Sequence, residues 1–131
     1  MPIVHISLRR GKSPHYLQAL ADGVHRALVE AFEVPPDDRF QTLREYDAAH
    51  LIADTNYLGG PRSADFVLVE ITAGRLRSAA TKAAFYQHLA SGLQEHPGLR
   101  PEDLMVVIHT TQRDEWSFGN GLATFLQPNL P

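Results

Sequence analysis

Phe66-Val67-Leu68-Val69-Glu70-Ile71-Thr72 decides the fold, because it is apolar at nearly every position and stands between the turn Gly59-Gly60-Pro61 and a helix start at Ser78. It reads as a strand with both faces buried. The same order of signals stands earlier in the chain. Pro2-Ile3-Val4-His5-Ile6 opens an apolar strand at 2–8, and Ser13 with Pro14 behind it starts a helix. Leu17, Leu20, Ala21, Val24, Leu28 and Ala31 then recur at helical spacing until Val34-Pro35-Pro36 stops them. At an offset of 65 residues Ser13 falls on Ser78, Leu28 on Leu93, Glu30 on Glu95, Pro36 on Pro101 and Asp38 on Asp103. One unit is used twice.

In the second copy, the helix opened by Ser78 keeps Phe85, Leu89 and Leu93 four residues apart and ends at Pro97-Gly98. The strand Leu104 to Thr110 matches Arg39 to Glu45 of the first copy, so each half reads β-α-β. The crossovers are short, which makes the two strands of each unit parallel with a right-handed connection. The expected fold is α+β: a four-stranded sheet with two helices on one face, in a single domain 1–131 whose halves run from about 2–45 and 67–110. Tyr46 to Pro61 is a long connection with room for a short helix or an extra strand. The tail, 111–131, contains Trp116-Ser117-Phe118-Gly119-Asn120-Gly121, a composition that favours a tight turn or hairpin. Strands apolar on both sides, with helices on one side only, predict that the other sheet face is a subunit interface.

The bulk properties remove several function classes. With 131 residues, 44% apolar and 21% charged, the chain fits one globular domain, and no apolar run approaches a bilayer span. A formal charge of −3 gives no footprint for nucleic acid, and Arg9-Arg10-Lys12 is a short solvated cluster. The absence of cysteine excludes disulfides and thiolate metal sites, and the start has no signal-like pattern, so a cytoplasmic protein is expected. Seven histidines form no i, i+4 pair and no H-E-x-x-H pattern, and no glycine-rich phosphate loop follows a strand. Neither metal nor cofactor is expected.

Pro2 is the chemically distinctive residue. Removal of Met1, expected before a small residue, makes it a terminal secondary amine able to act as base, acid or imine-forming nucleophile. Its structural alternative is an ordinary strand start, where no ladder donor is needed.

Pro2 at a strand start, the doubled β-α-β unit and an arginine just before the second helix together resemble the tautomerase superfamily. Val29-Glu30-Ala31-Phe32 with Val34-Pro35, Asp38-Arg39-Phe40-Gln41, Arg75-Leu76-Arg77 and Asp114-Glu115-Trp116-Ser117-Phe118-Gly119 resemble, more narrowly, malonate semialdehyde decarboxylase. The resemblance implies a homotrimer with sheets around a central barrel, cofactor-independent, acting on a small carboxylic acid. It implies Pro2 as the catalytic amine and Asp38 as the carboxylate near it. It further implies Arg75 and Arg77 as carboxylate binders and Trp116, Phe118, Phe125 and Leu130 as apolar lining. Glu115 and Thr124 depart from the family pattern, which usually has Asp and Gln there.

The chemistry fits those residue types. Loss of CO2 from a 3-oxo acid sends the bonding electrons into the carbonyl, so a cation at that oxygen, or an iminium in its place, is required, and Pro2 supplies either. A carboxylate at Asp38 favours the charged amine, and neighbouring arginines disfavour it. Arg75 and Arg77, two apart in extended chain, point the same way and grip one carboxylate. Apolar walls at Trp116 and Phe118 desolvate that carboxylate and favour neutral CO2. The structural alternatives are a turn at Asp37-Asp38, a solvated arginine pair and interface core. The functional alternatives are a keto–enol tautomerase, a hydratase or dehalogenase on the same scaffold, and a non-catalytic trimeric anion-binding protein.

Overall fold

The computed structural model describes residues 1–128. Pro2–Arg9 forms β1, Pro14–Ala31 α1, Phe40–Tyr46 β2, Val67–Ala73 β3, Ala79–Glu95 α2 and Leu104–Thr110 β4. The sheet order is β2-β1-β3-β4. β1 and β2 are parallel, β3 and β4 are parallel, and β1 meets β3 antiparallel, so the two β-α-β units join with opposite directions. The duplication extends to the helix starts: Ser13 accepts from Tyr16 N and Ser78 from Thr81 N, both at 3.1 Å.

Both helices cover one face. Val4, Ile6, Leu8, Val67, Val69, Ile71 and Ala73 alternate along β1 and β3 toward Leu20, Val24, Leu28, Phe85, Leu89 and Leu93, all of them buried. Gly23 permits the helices to cross closely, since a Cβ there would stand 2.6 Å from Leu93 Cδ2. Phe32 and Phe85 meet with ring centroids 4.9 Å apart beneath the site described below. Truncating Phe85 to Ala would cost about 3–5 kcal/mol.

Two local expectations change, at the strand starts and in the tail, and one is met, the short helix in the connection after β2. β2 and β3 each begin one residue late, at Phe40 and Val67, because the preceding residues are held in turns: Arg39 N donates to Asp37 O and Phe66 N to Ser63 O. The connection after β2 holds a single 3-10 turn, Ala48–His50. The tail forms no hairpin among the described residues. It carries two 3-10 turns, Arg113–Glu115 and Thr124–Leu126, around a tight turn at Gly119-Asn120-Gly121 where all three φ values are positive. The physical reason is that side chains take the backbone donors a ladder would use: Thr124 Oγ1 accepts from Phe118 N, and Glu115 Oε1 from Gln112 N.

The face away from the helices is mixed rather than apolar. The pairing register sets Phe40, Ile3, Thr72 and His109 in one row and Thr42, His5, Glu70 and Val107 in the next. His5 Nδ1 lies 2.6 Å from Thr42 Oγ1. Phe40 and Met105 remain about half exposed on this face.

Candidate active site

Strand direction builds the site. β1 and β2 begin, and β3 and β4 end, at the same edge of the sheet, because Pro2 pairs with Ala73, Ile3 with Phe40 and Ala73 with Thr110. Four distant stretches therefore converge: the chain start, the turn at Asp38, the segment Gly74 to Arg77 and the tail from Thr111 to Phe118.

At their centre the amine of Met1 forms an ion pair with Asp38 Oδ2. The Asp38 side chain is only 14% exposed. Met1 O accepts from Gly74 N at 3.0 Å, and Pro2 behind it is buried. Gly74 forms a floor: a Cβ would approach Met1 Cε to 3.2 Å and Trp116 Nε1 to 3.3 Å, so any larger residue would push into the chain start.

The Asp38 turn is tied to α1. His25 Nε2 donates to Pro36 O at 2.7 Å, Gln41 Nε2 to Ala21 O at 2.8 Å, and Arg39 Nη2 to Asp22 Oδ1 at 2.7 Å. The Arg39 hydrogen bond, helped by Gln18, holds the Asp22 carboxyl below its ordinary range. Asp38 thus sits on an anchored turn, which reconciles the turn signal in Asp37-Asp38 with a place at the site.

The two arginines are not equivalent. Arg77 is 5% exposed, stacks 4.4 Å over the Phe32 ring, and donates from Nε to Phe32 O and from Nη1 to Arg75 O. Burial first, and the Arg75 charge second, lower the pKa of its guanidinium, against the opposing charges of Glu33 and Asp38. Arg75 is exposed and lies 3.6 Å from Glu33 Oε2. A bend at Gly74-Arg75 breaks the extended chain that would have aimed both forks alike.

The aromatic residues form one cluster over this edge. Trp116 stacks on Phe118 at 5.6 Å, Phe118 meets Phe125 edge-on at 5.2 Å and Phe40 at 5.8 Å, and Arg113 lies over the Phe125 ring. Trp116 Nε1 donates to Thr111 Oγ1 at 2.6 Å, and Thr111 in turn donates to Ala73 O, the partner residue of Pro2 in the sheet. Leu130, expected in the same lining, lies outside the described residues.

A family model described as tautomerase enzyme matches residues 38–119, and a second of the same description matches residues 2–60. The chain belongs to the tautomerase superfamily. Among tautomerase relatives, the probable tautomerase YusQ of Bacillus subtilis (strain 168) is 35% identical over 97% of this chain and 100% of its own length. Malonate semialdehyde decarboxylase, solved in wild-type, mutant and inactivated forms, is 33% identical with a TM-score of 0.89, covering 95% of each chain. The FG41 malonate semialdehyde decarboxylase inhibited by 3-bromopropiolate is 32% identical with a TM-score of 0.87, covering 94% of this chain and 93% of that one.

Within this tautomerase fold the sequence-derived residues Pro2, Asp38, Arg75, Arg77, Trp116, Phe118 and Phe125 all come to one edge of the sheet, on elements up to the length of the domain apart. Gly74, Thr111, Phe40 and Glu33 join them and were not singled out by sequence. A glycine directly after an apolar strand and before an arginine pair was the available signal for Gly74. Thr111 carried none, because its partner is an indole five residues on. Among the described residues no group of three or more His, Cys, Asp or Glu side chains is placed to hold a metal ion, and no helix is long and apolar enough to cross a membrane.

Proposed function

We propose that this protein, once Met1 is removed, is a cofactor-independent decarboxylase of a small 3-oxo acid, converting malonate semialdehyde to acetaldehyde and CO2. The observation that carries the reading is the ion pair between the chain's first amine and Asp38, at the edge where Arg75, Arg77 and Trp116 converge. Loss of Met1 moves the terminal amine one residue inward, to the start of β1, and frees the space beside Gly74 and Trp116 that Met1 occupies.

In this reading Pro2 as an ammonium hydrogen-bonds the substrate aldehyde oxygen, or as a neutral amine forms an iminium with loss of water. The bond between the carboxylate carbon and its neighbour breaks, its electron pair forms the enolate or enamine, and CO2 leaves. Protonation at carbon, and hydrolysis in the iminium case, gives acetaldehyde. Asp38 favours the charged amine. Arg75 and the buried Arg77 hold the substrate carboxylate against the wall of Trp116, Phe118 and Phe125, with Leu130 as a further lining residue. The grip must loosen as charge leaves the carboxylate, since equal binding of ground and transition states gives no rate. The exposed apolar rings of Phe40 and Phe118 favour a homotrimer in which neighbours cover this edge, and a cytoplasmic location goes with the reading.

A second reading is favoured by the names of the Bacillus subtilis relatives: keto–enol tautomerisation of a phenylpyruvate-like acid, with neutral Pro2 moving a proton. One experiment separates the two. Untagged protein, its terminus defined by intact mass, is incubated with malonate semialdehyde and followed by NMR, then with phenylpyruvate enol followed by absorbance, with borohydride added to trap an iminium on the terminus. Catalytic acetaldehyde formation supports the decarboxylase. Enol loss at catalytic rate without acetaldehyde replaces it with the tautomerase.

A further inference from the structure

Glu33 occupies a position that local physics disfavours twice. It is the second residue past the last turn of α1, where Phe32 closes the helix through its N–H to Leu28 O and Val34 N returns to the same carbonyl. Its φ is +58°, the left-handed conformation that helix ends ordinarily give to glycine or asparagine. Glutamate is penalised there for its Cβ, and its negative charge sits at the negative end of the helix dipole. A residue that breaks two local rules at once, next to a site, is where function is to be sought.

The Glu33 carboxylate faces Arg75, with Oε2 3.6 Å from Nη2, and its charge also acts on Arg77. The backbone is fixed from below, because the Phe32 carbonyl accepts from the buried Arg77 Nε. Arg75 is the exposed and adaptable member of the arginine pair, so its fork is the one an incoming anion meets first. We infer that Glu33 is a built-in competitor for the substrate's carboxylate: it occupies the Arg75 guanidinium in the resting protein, and a bound acid must displace or share it. Glu33 is then a specificity-determining residue that weakens binding of any small monocarboxylate able to reach Arg75. The inference rests on the reading of Arg75 as a carboxylate binder.

The pair is exposed on both sides, so the effect is modest: an ion pair of this kind shifts affinity about two- to fivefold and fades with salt. The test uses 3-hydroxypropionate, which has no carbonyl and is not decarboxylated, and measures its Kd by NMR titration of the natural protein, Glu33→Gly, Glu33→Gln and Arg75→Ala. Both Glu33 variants are expected to bind about two- to fivefold more tightly, and the gain is expected to vanish in an Arg75→Ala background. Glu33→Gly alone is expected to raise Tm, by about 2–5 °C, because it also relieves the backbone. Glu33→Gln keeps the backbone conformation and separates charge from strain. Unchanged or weaker binding in both variants, with the natural protein and its Arg75 dependence intact, overturns the role of Glu33 alone. Failure of the natural protein to bind the acid, or binding indifferent to Arg75, overturns the carboxylate-site reading together with it.

Discussion

The two edges of the sheet are built from the same unit and put to different uses. At one edge Asp103, before β4, is fully buried and accepts from both Ser63 N and Ser63 Oγ at 2.6 Å, fixing the turn that leads into β3. At the other edge its repeat mate Asp38, before β2, is partly exposed and faces the amine at the chain start. A carboxylate before a strand is thus a property of the duplicated unit. What differs is its partner: Asp103 is held by a folded turn, with Arg100 Nη1 3.7 Å away, whereas Asp38 faces the amine of a chain terminus. Duplication supplied the frame, and only the edge that holds the first residue carries the amine on which the proposed function rests.

Exchanging the aspartates' roles breaks this comparison most sharply. Asp38→Asn is expected to lower kcat for the substrate acid by at least about 100-fold while leaving the urea midpoint nearly unchanged. Asp103→Ala leaves two half-buried donors of Ser63 without their partner and is expected to cost about 1–3 kcal/mol in urea unfolding, with specific activity of the folded protein retained. The opposite pattern, stability lost at Asp38 and activity lost at Asp103, would break the comparison.

The arginines sharpen it within the first edge. Arg77→Ala removes a buried stack on Phe32 and a donor to the Phe32 carbonyl, and is expected to cost about 2–3 kcal/mol as well as raising KM. Arg75→Ala is expected to change stability by less than about 0.5 kcal/mol and to act on KM alone. Chemical denaturation and steady-state kinetics on the same preparations test both.

The smallest effect concerns the tether of the Asp38 turn. The hydrogen bond from Arg39 lowers the Asp22 carboxyl's pKa, so its contribution is full above its unfolded value near about pH 4 and is lost as pH falls through the depressed folded value. Asp22→Asn is expected to be slightly less stable at pH 7, with the difference closing below about pH 4. Thermal melts across that range measure it, and a gap that persists in acid would remove Asp22 from the tether.

Element order and the meeting of distant site residues were legible because the chain repeats itself: two serine caps, two proline stops and two apolar strands fix the direction of every element. The convergence of Pro2, Asp38, Arg75, Arg77 and Trp116 follows from that direction alone. Three features were not legible. The unequal arginines depend on a bend at Gly74 and on Phe32 rising beneath Arg77, both set by packing across the fold. The tail's lack of a ladder depends on Thr124 and Glu115 taking backbone donors. The mixed outer face was written in His5 and Glu70, but the apolar density of their neighbours masks two polar residues that only strand pairing sets in one row.

The most direct measurement is malonate semialdehyde turnover by preparations of this chain with and without Met1, each defined by intact mass. Turnover in proportion to the fraction beginning at Pro2, and none from the Met1-bearing form, is the predicted result. Equal turnover by the form that retains Met1 would contradict a reactive terminal amine beside Asp38.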